Sequence, residues 1–183
     1  VVVFTMPFAN DMTIVKRCMA ISGDTIAIKK GDVYINNKFF TPSNLILNKY
    51  EFKVKDRKTF YHKLDSIDLD IAQNRTRVDH FMATLSLQDI KRMERLNIVQ
   101  DLNRVTDSLT PNSTAYPKSE YNQWNFDDYG PYIIPKKGMR IDLGIENYTL
   151  YGKLINKFEN IEIKNIEGLF YINEKRVTSY TFI

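Results

Sequence analysis

TIVKRCMAISGDTIAIKKGDVYINNK, residues 13–38, opens with the alternation of a strand, in which side chains two apart share a face. Ile14, Lys16, Cys18 and Ala20 fall on one face, and Val15, Arg17, Met19 and Ile21 on the other. Lys16 therefore has apolar neighbours along its own face, where an ammonium is costly unless it reaches water or gives up its proton. Ser22-Gly23-Asp24 breaks the strand, and Thr25–Ile28 and Asp32–Asn36 form two runs joined by Lys29-Lys30-Gly31. Glycine there gives the turn of a hairpin its permissive backbone. A strand lysine followed by a Gly-Asp corner and a hairpin thus decides the fold of the N-terminal fifth.

Working outward, Val1–Met6 reads as a strand, antiparallel to Met12–Ser22 across the short Pro7–Asp11 link. Thr41–Asn48 is loop-like, and Glu51–Lys55 has the weak alternation of an edge strand. Asp56 caps a predicted helix with Phe60, Leu64, Ile67 and Ile71 along one face. Ser86-x-x-Asp89 starts a second, with Ile90, Met93 and Leu96 as its apolar stripe, and Ile98–Val105 is extended. After a polar loop, Asp107–Lys118, the chain is dense in rings: Tyr121, Trp124, Phe126, Tyr129 and Tyr132. Exposing so many would invite aggregation, so they read as a packing anchor. Met139–Ile145 is a strand, and Asn147 caps a third helix that Gly152 weakens. Ile161–Lys164 and Tyr171–Lys175 repeat the pattern of Ile26–Lys29 and Tyr34–Lys38, with a turn of different length.

The composition bounds function loosely. A chain of 183 residues with 43% hydrophobic and 26% charged content is ordinary for a soluble globular protein. No apolar run is long enough to span a bilayer. The net charge of +4 comes from lysines scattered among acids, so no nucleic-acid partner is indicated. Cys18 is the sole cysteine, which excludes an internal disulfide, and it reads as a small buried packing residue. His62 on a predicted helix and His80 in a loop have no metal-ligand spacing, so no metal or cofactor is expected. Read by itself, Lys16 is either a solvated strand lysine or a base awaiting a partner.

Val15-Lys16-Arg17, Gly23-Asp24 and the Val33-Tyr34-Ile35-Asn36 arm together resemble the lysine-bearing block of type I signal peptidases, the Ser/Lys proteases that remove signal peptides from exported proteins. Val1-Val2-Val3-Phe4 resembles the strand that precedes this block in the family. Asn125-Phe-Asp-Asp-Tyr-Gly-Pro131 and Ile134-Pro-Lys-Lys-Gly138 are similar to the long insertion of Bacteroidetes-type members. The resemblance implies a mainly β fold with an α+β insertion carrying two or three helices. Residues 1–38 would be part of the catalytic β domain, 39–160 the insertion, and 161–183 a hairpin returning to the catalytic part.

The resemblance further implies that Lys16 is the general base, that Ile14 and Val15 line pockets for the small residues before the cut, and that Arg17, Gly23 and Asp24 hold the block's shape. A serine hydroxyl needs a base to take its proton, and an amine serves only when desolvation favours its neutral form. Ile14, Cys18 and Ala20 would supply that apolar setting. The family's Ser-Met-x-Pro and Gly-Asp-Asn-x-Asp motifs do not occur in the sequence. Their expected places are before Val1 and after Ile183, so the reading is of a truncated piece, inactive alone. The implied partners are signal peptides of exported preproteins, and a membrane reached through a segment outside these residues, with the catalytic domain on the outer face of the cytoplasmic membrane. Two rivals remain at this stage: a non-catalytic β-rich binding module, and a self-cleaving repressor that also uses a Ser/Lys pair.

Overall fold

The computed structural model describes residues 1–6, 12–66, 69, 73–75 (backbone only), 79–106, 115–117 and 122–183. Ile67, Ile71 and Tyr121 of the sequence reading lie outside them. The described chain is mainly β with three helices, and it divides into two units, Val1–Phe39 with Ser108–Ile183, and Phe40–Asp107.

The first unit begins with β1 (Val2–Thr5) and β2 (Thr13–Lys16), an antiparallel ribbon in which Val3 faces Val15 and Phe4 faces Ile14. The predicted second strand is cut short, because pairing with β1 ends at Lys16 and the chain then turns toward the Gly-Asp corner. A meander follows: β3 (Thr25–Lys29), β4 (Asp32–Ile35) and β5 (Lys38–Phe39). Its two-residue turns, Lys30-Gly31 and Asn36-Asn37, have positive φ at both positions, the geometry that suits the twist of paired strands.

The second unit runs β6 (Asn48–Val54), α1 (Arg57–Ser66), β7 (Gln73–Arg75), β8 (His80–Leu85), α2 (Leu87–Glu94) and β9 (Val99–Arg104). The antiparallel sheet order is β7-β8-β6-β9, which with this helix placement is the split βαβ, ferredoxin-like arrangement. The sequence reading made the Glu51 strand an edge; it is instead interior, between β8 and β9. The strand starts earlier, at Asn48, and the alternation of Tyr50, Phe52 and Val54, all buried, sets its inner face. His80 likewise begins a strand, not a loop.

Both helices start where the sequence says. Asp56 Oδ2 accepts from Thr59 N at 2.6 Å, and Ser86 with Asp89 forms a reciprocal capping box. Phe60 and Leu64 of α1 and Met93 of α2 close over the Phe52–Phe81 stack, whose ring centroids are 5.7 Å apart.

The chain then returns to the first unit with β10 (Tyr129–Ile133), β11 (Arg140–Asp142), α3 (Ile145–Phe158), β12 (Ile163–Ile166), β13 (Leu169–Ile172), β14 (Lys175–Val177) and β15 (Ser179–Thr181). β10 pairs with β3, β11 with β15, and β12–β14 form a second meander. α3 starts two residues before Asn147, behind Gly144, and Asn147 instead donates its side-chain N–H to Asp142 O at 2.8 Å. Leu150, Tyr151 and Ile155 of this helix pack with Tyr132, Ile163, Phe170 and Phe182 into the core. Trp124, Tyr129 and Tyr132 belong to that core, as an anchor should, while Phe126 is exposed.

The two meanders match turn for turn. Glu167-Gly168 and Asn173-Glu174 carry the same pairs of positive φ as Lys30-Gly31 and Asn36-Asn37. Their registers place Ile163 where Ile26 stands, so the turns are equal in length and the sequence reading's offset is corrected by two residues.

Candidate active site

The Lys16 block is held at its C-terminal end, through the corner. Gly23 has φ +93°, and its N–H donates to Ile134 O at 2.8 Å, while Ile134 N–H returns a bond to Asp24 O at 2.8 Å. A Cβ on Gly23 would come within 2.9 Å of the Lys136 side chain. The Asp24 carboxylate accepts from Ile21 N–H at 3.0 Å and from the Asn36 side chain at 2.7 Å. These two bonds, the backbone one first, hold its pKa below the ordinary value. Asn36 in turn accepts from Thr25 N–H at 2.9 Å, so one amide ties the corner to the first meander.

A second clamp lies at the far end of that meander. Asn125 Oδ1 accepts from Asp127 and Asp128 N–H, Asp128 Oδ1 accepts from Lys30 N–H at 3.0 Å, and Gly31 N–H donates to Asp127 O at 2.7 Å. The Asn-Phe-Asp-Asp run thus grips the Lys30-Gly31 turn. Asn36, Asn125 and Asp128 are the positioning residues that sequence reasoning did not assign. Their signal was an amide or carboxylate beside a turn glycine, which marks a loop without naming what it holds.

Lys16 ends β2, opposite Val2, and is exposed. Ile14 is half-buried, Val15 is 60% exposed, and Arg17 is exposed just beyond the strand. The expected apolar face around Lys16 is not continued by Cys18 and Ala20, because they follow the end of the strand. Cys18 is exposed, with its thiol 3.3 Å from Ala20 O, which corrects the expectation of a buried packing residue. Among the described residues no other strand pairs with β1 or β2, so both outer edges of the ribbon are open. No group of His, Cys, Asp and Glu among the described residues is arranged to hold a metal ion.

The family model described as signal peptidase, peptidase S26 matches residues 1–103, more than half of the chain. The chain belongs to this signal peptidase family. No curated protein and no solved structure matches it. Signal peptidases of this family are serine peptidases associated with membranes, whose substrates are signal peptides. The matched residues include the whole lysine block, from the β1–β2 ribbon through the Gly-Asp corner and the first meander. Among the described residues no helix is long and apolar enough to cross a membrane.

Proposed function

We propose that the protein is a membrane-anchored serine endopeptidase in which Lys16 is the general base of a Ser/Lys dyad that cleaves signal peptides from exported proteins. The observation that carries this reading is the position of Lys16, at the end of an open-edged apolar ribbon inside the family match. An extended peptide can add to such an edge as a further strand, its backbone bonds giving affinity and its alternate side chains specificity. Ile14 and Val15 then lie beside the base and line the pockets for small residues before the cut.

The nucleophilic serine comes from a segment outside these 183 residues, and closing that segment over Lys16 supplies the desolvation the amine needs. Lys16 takes the serine proton as the hydroxyl attacks the scissile carbonyl, and returns it to the leaving amine. On this reading residues 1–183 are inactive alone, and the catalytic part acts at the outer face of the cytoplasmic membrane. Residues 39–160 are an insertion in the catalytic β domain, and 161–183 lead back to it. Arg17, Gly23 and Asp24 hold the block's shape.

The test compares the intact protein with its Lys16→Ala and Lys16→Arg variants in preprotein processing and in membrane insertion. Loss of processing in both, with insertion retained, is the expected result. Normal processing by Lys16→Ala would make the lysine structural.

A further inference from the structure

The β1–β2 ribbon that carries Lys16 is held in place by few contacts. Val3 and Val15 are 66% and 60% exposed, and no residue of the ribbon belongs to either hydrophobic core among the described residues. Among those residues, no backbone hydrogen bond joins 1–6 or 12–20 to the rest of the unit. The first backbone bonds beyond the ribbon's end are those of Gly23 and Asp24 to Ile134. The direction in which the ribbon leaves the unit, and with it the place of Lys16, is therefore set at the Ile21–Asp24 corner.

Asp24 both closes that corner and ties it to the first meander. Its Oδ2 accepts from Ile21 N–H, and its own N–H donates to Ile21 O, each at 3.0 Å. Its Oδ1 accepts from the Asn36 side chain at 2.7 Å, and Asn36 Oδ1 accepts from Thr25 N–H at 2.9 Å. The Asn36 amide thus joins the carboxylate that shapes the corner to the first residue of β3. Hydrogen bonds to an ionised carboxylate are among the stronger kinds.

This bridge is not a requirement of the turn it comes from. Asn173 stands at the same place in the second meander, with φ +48° against +51° for Asn36. That turn forms although the residue matching Asp24 is Ile161, whose side chain has no acceptor. At Asn36 the same amide is joined to the one corner that leads to Lys16.

We propose that Asn36 is a positioning residue for the Lys16 base, holding the ribbon at the angle that brings the amine to the serine. This rests on the reading of Lys16 given above. On that reading the peptide adds to the ribbon itself, so a tilt of the ribbon carries peptide and lysine together and leaves their pairing intact. What changes is their distance from the serine, which comes from a separate segment. Losing the bridge therefore lowers kcat and spares KM.

The test measures preprotein processing by the intact protein. Asn36→Gly removes the amide but tolerates the positive φ, and should lower kcat about ten-fold with KM within about two-fold of wild type. Asn36→Asp sets two carboxylates against each other and should be at least as slow. Combining Asp24→Asn with Asn36→Asp reverses donor and acceptor between the two side chains while keeping an acceptor for Ile21 N–H and for Thr25 N–H. This exchange should restore kcat to within about three-fold of wild type. Ser86→Ala, which loses a helix cap in the second unit, controls for lowered stability and should keep the wild-type kcat.

A wild-type kcat in folded Asn36→Gly, a loss carried by KM, or an equal loss in Ser86→Ala would each overturn the proposal. So would an exchange variant whose melting temperature recovers without its rate. Lys16→Ala assayed beside them tells the two readings apart. If it processes normally, the base and its positioning fall together; if it is inactive while Asn36→Gly is unimpaired, only the role of the bridge falls.

Discussion

The Asn36 side chain donates to Asp24 Oδ1 across 2.7 Å, bridging the corner after Lys16 to a turn twelve residues on. The same carboxylate also accepts from Ile21 N–H, so its ionised form is bonded twice at one site. Since the folded state holds this carboxyl below its ordinary value of 3.8, the bonds contribute stability that is present above that value. The contribution is lost as pH falls through the lower folded value. Asp24→Asn should therefore melt lower than wild type at neutral pH, with the gap narrowing below about pH 3.8. Melting curves across that range check it; a gap that is constant with pH would mean the carboxylate's charge is irrelevant.

Gly130 sits in β10 with φ +81°, at the register break between Tyr129 and Tyr132. A Cβ there would lie 2.5 Å from Ile26 O and 3.0 Å from Tyr132 N, both backbone atoms of the paired strands. Gly138 has φ +79° but nothing within 4 Å of the same added atom. Gly138→Ala should cost about 1 kcal/mol from the left-handed backbone alone. Gly130→Ala should cost more, about 3 kcal/mol, by adding a steric clash. Denaturant melts followed at Trp124, which packs with this strand, compare the two; equal losses would mean that β10 relaxes without cost.

In the second unit the Ser86 hydroxyl accepts from Asp89 N–H at 3.1 Å, and Asp89 returns a bond to Ser86 N–H at 3.0 Å. Ser86→Ala should cost about 1 kcal/mol by leaving helix donors unmet. Phe81→Ala, at a fully buried ring stacked on Phe52, should cost about 3–5 kcal/mol through the cavity it leaves. Urea melts by far-ultraviolet dichroism give both values. A larger loss for the cap than for the ring would reverse this account of what holds the unit together.

What was legible in the sequence follows from how local its causes are. Asp56 and Ser86-x-x-Asp89 announce helix starts within four residues, and both helices begin there. The first hairpin was legible for the same reason, since its turn glycine is adjacent to what it connects. The interior position of β6 was not, because it depends on pairing with β8 and β9 some thirty to fifty residues away. The second meander was found but misaligned: Ile161-Glu162-Ile163-Lys164 mimics Ile26-Ala27-Ile28-Lys29 by composition, and only the turn at Glu167-Gly168 fixes the register. At the candidate site the sequence supplied Lys16, Gly23 and Asp24 through resemblance. The amide that ties them to the meander and the 125–128 clamp become visible only when distant turns are brought together.

The last prediction separates substrate recognition from packing at the ribbon. Val15 is 60% exposed and faces Val3, itself 66% exposed, so truncating it removes little buried surface. Val15→Ala should change stability by no more than about 0.5 kcal/mol. Ile14 is half-buried opposite Phe4, and Ile14→Ala should cost about 1 kcal/mol. If a signal peptide adds along this ribbon, both variants of the intact protein should alter the preference among small residues before the cut by more than these losses explain. Peptide libraries varied at those positions, assayed beside melting temperatures, decide the matter. Preferences identical to wild type would remove Ile14 and Val15 from the substrate groove and leave the open edge of the ribbon without a peptide to pair with.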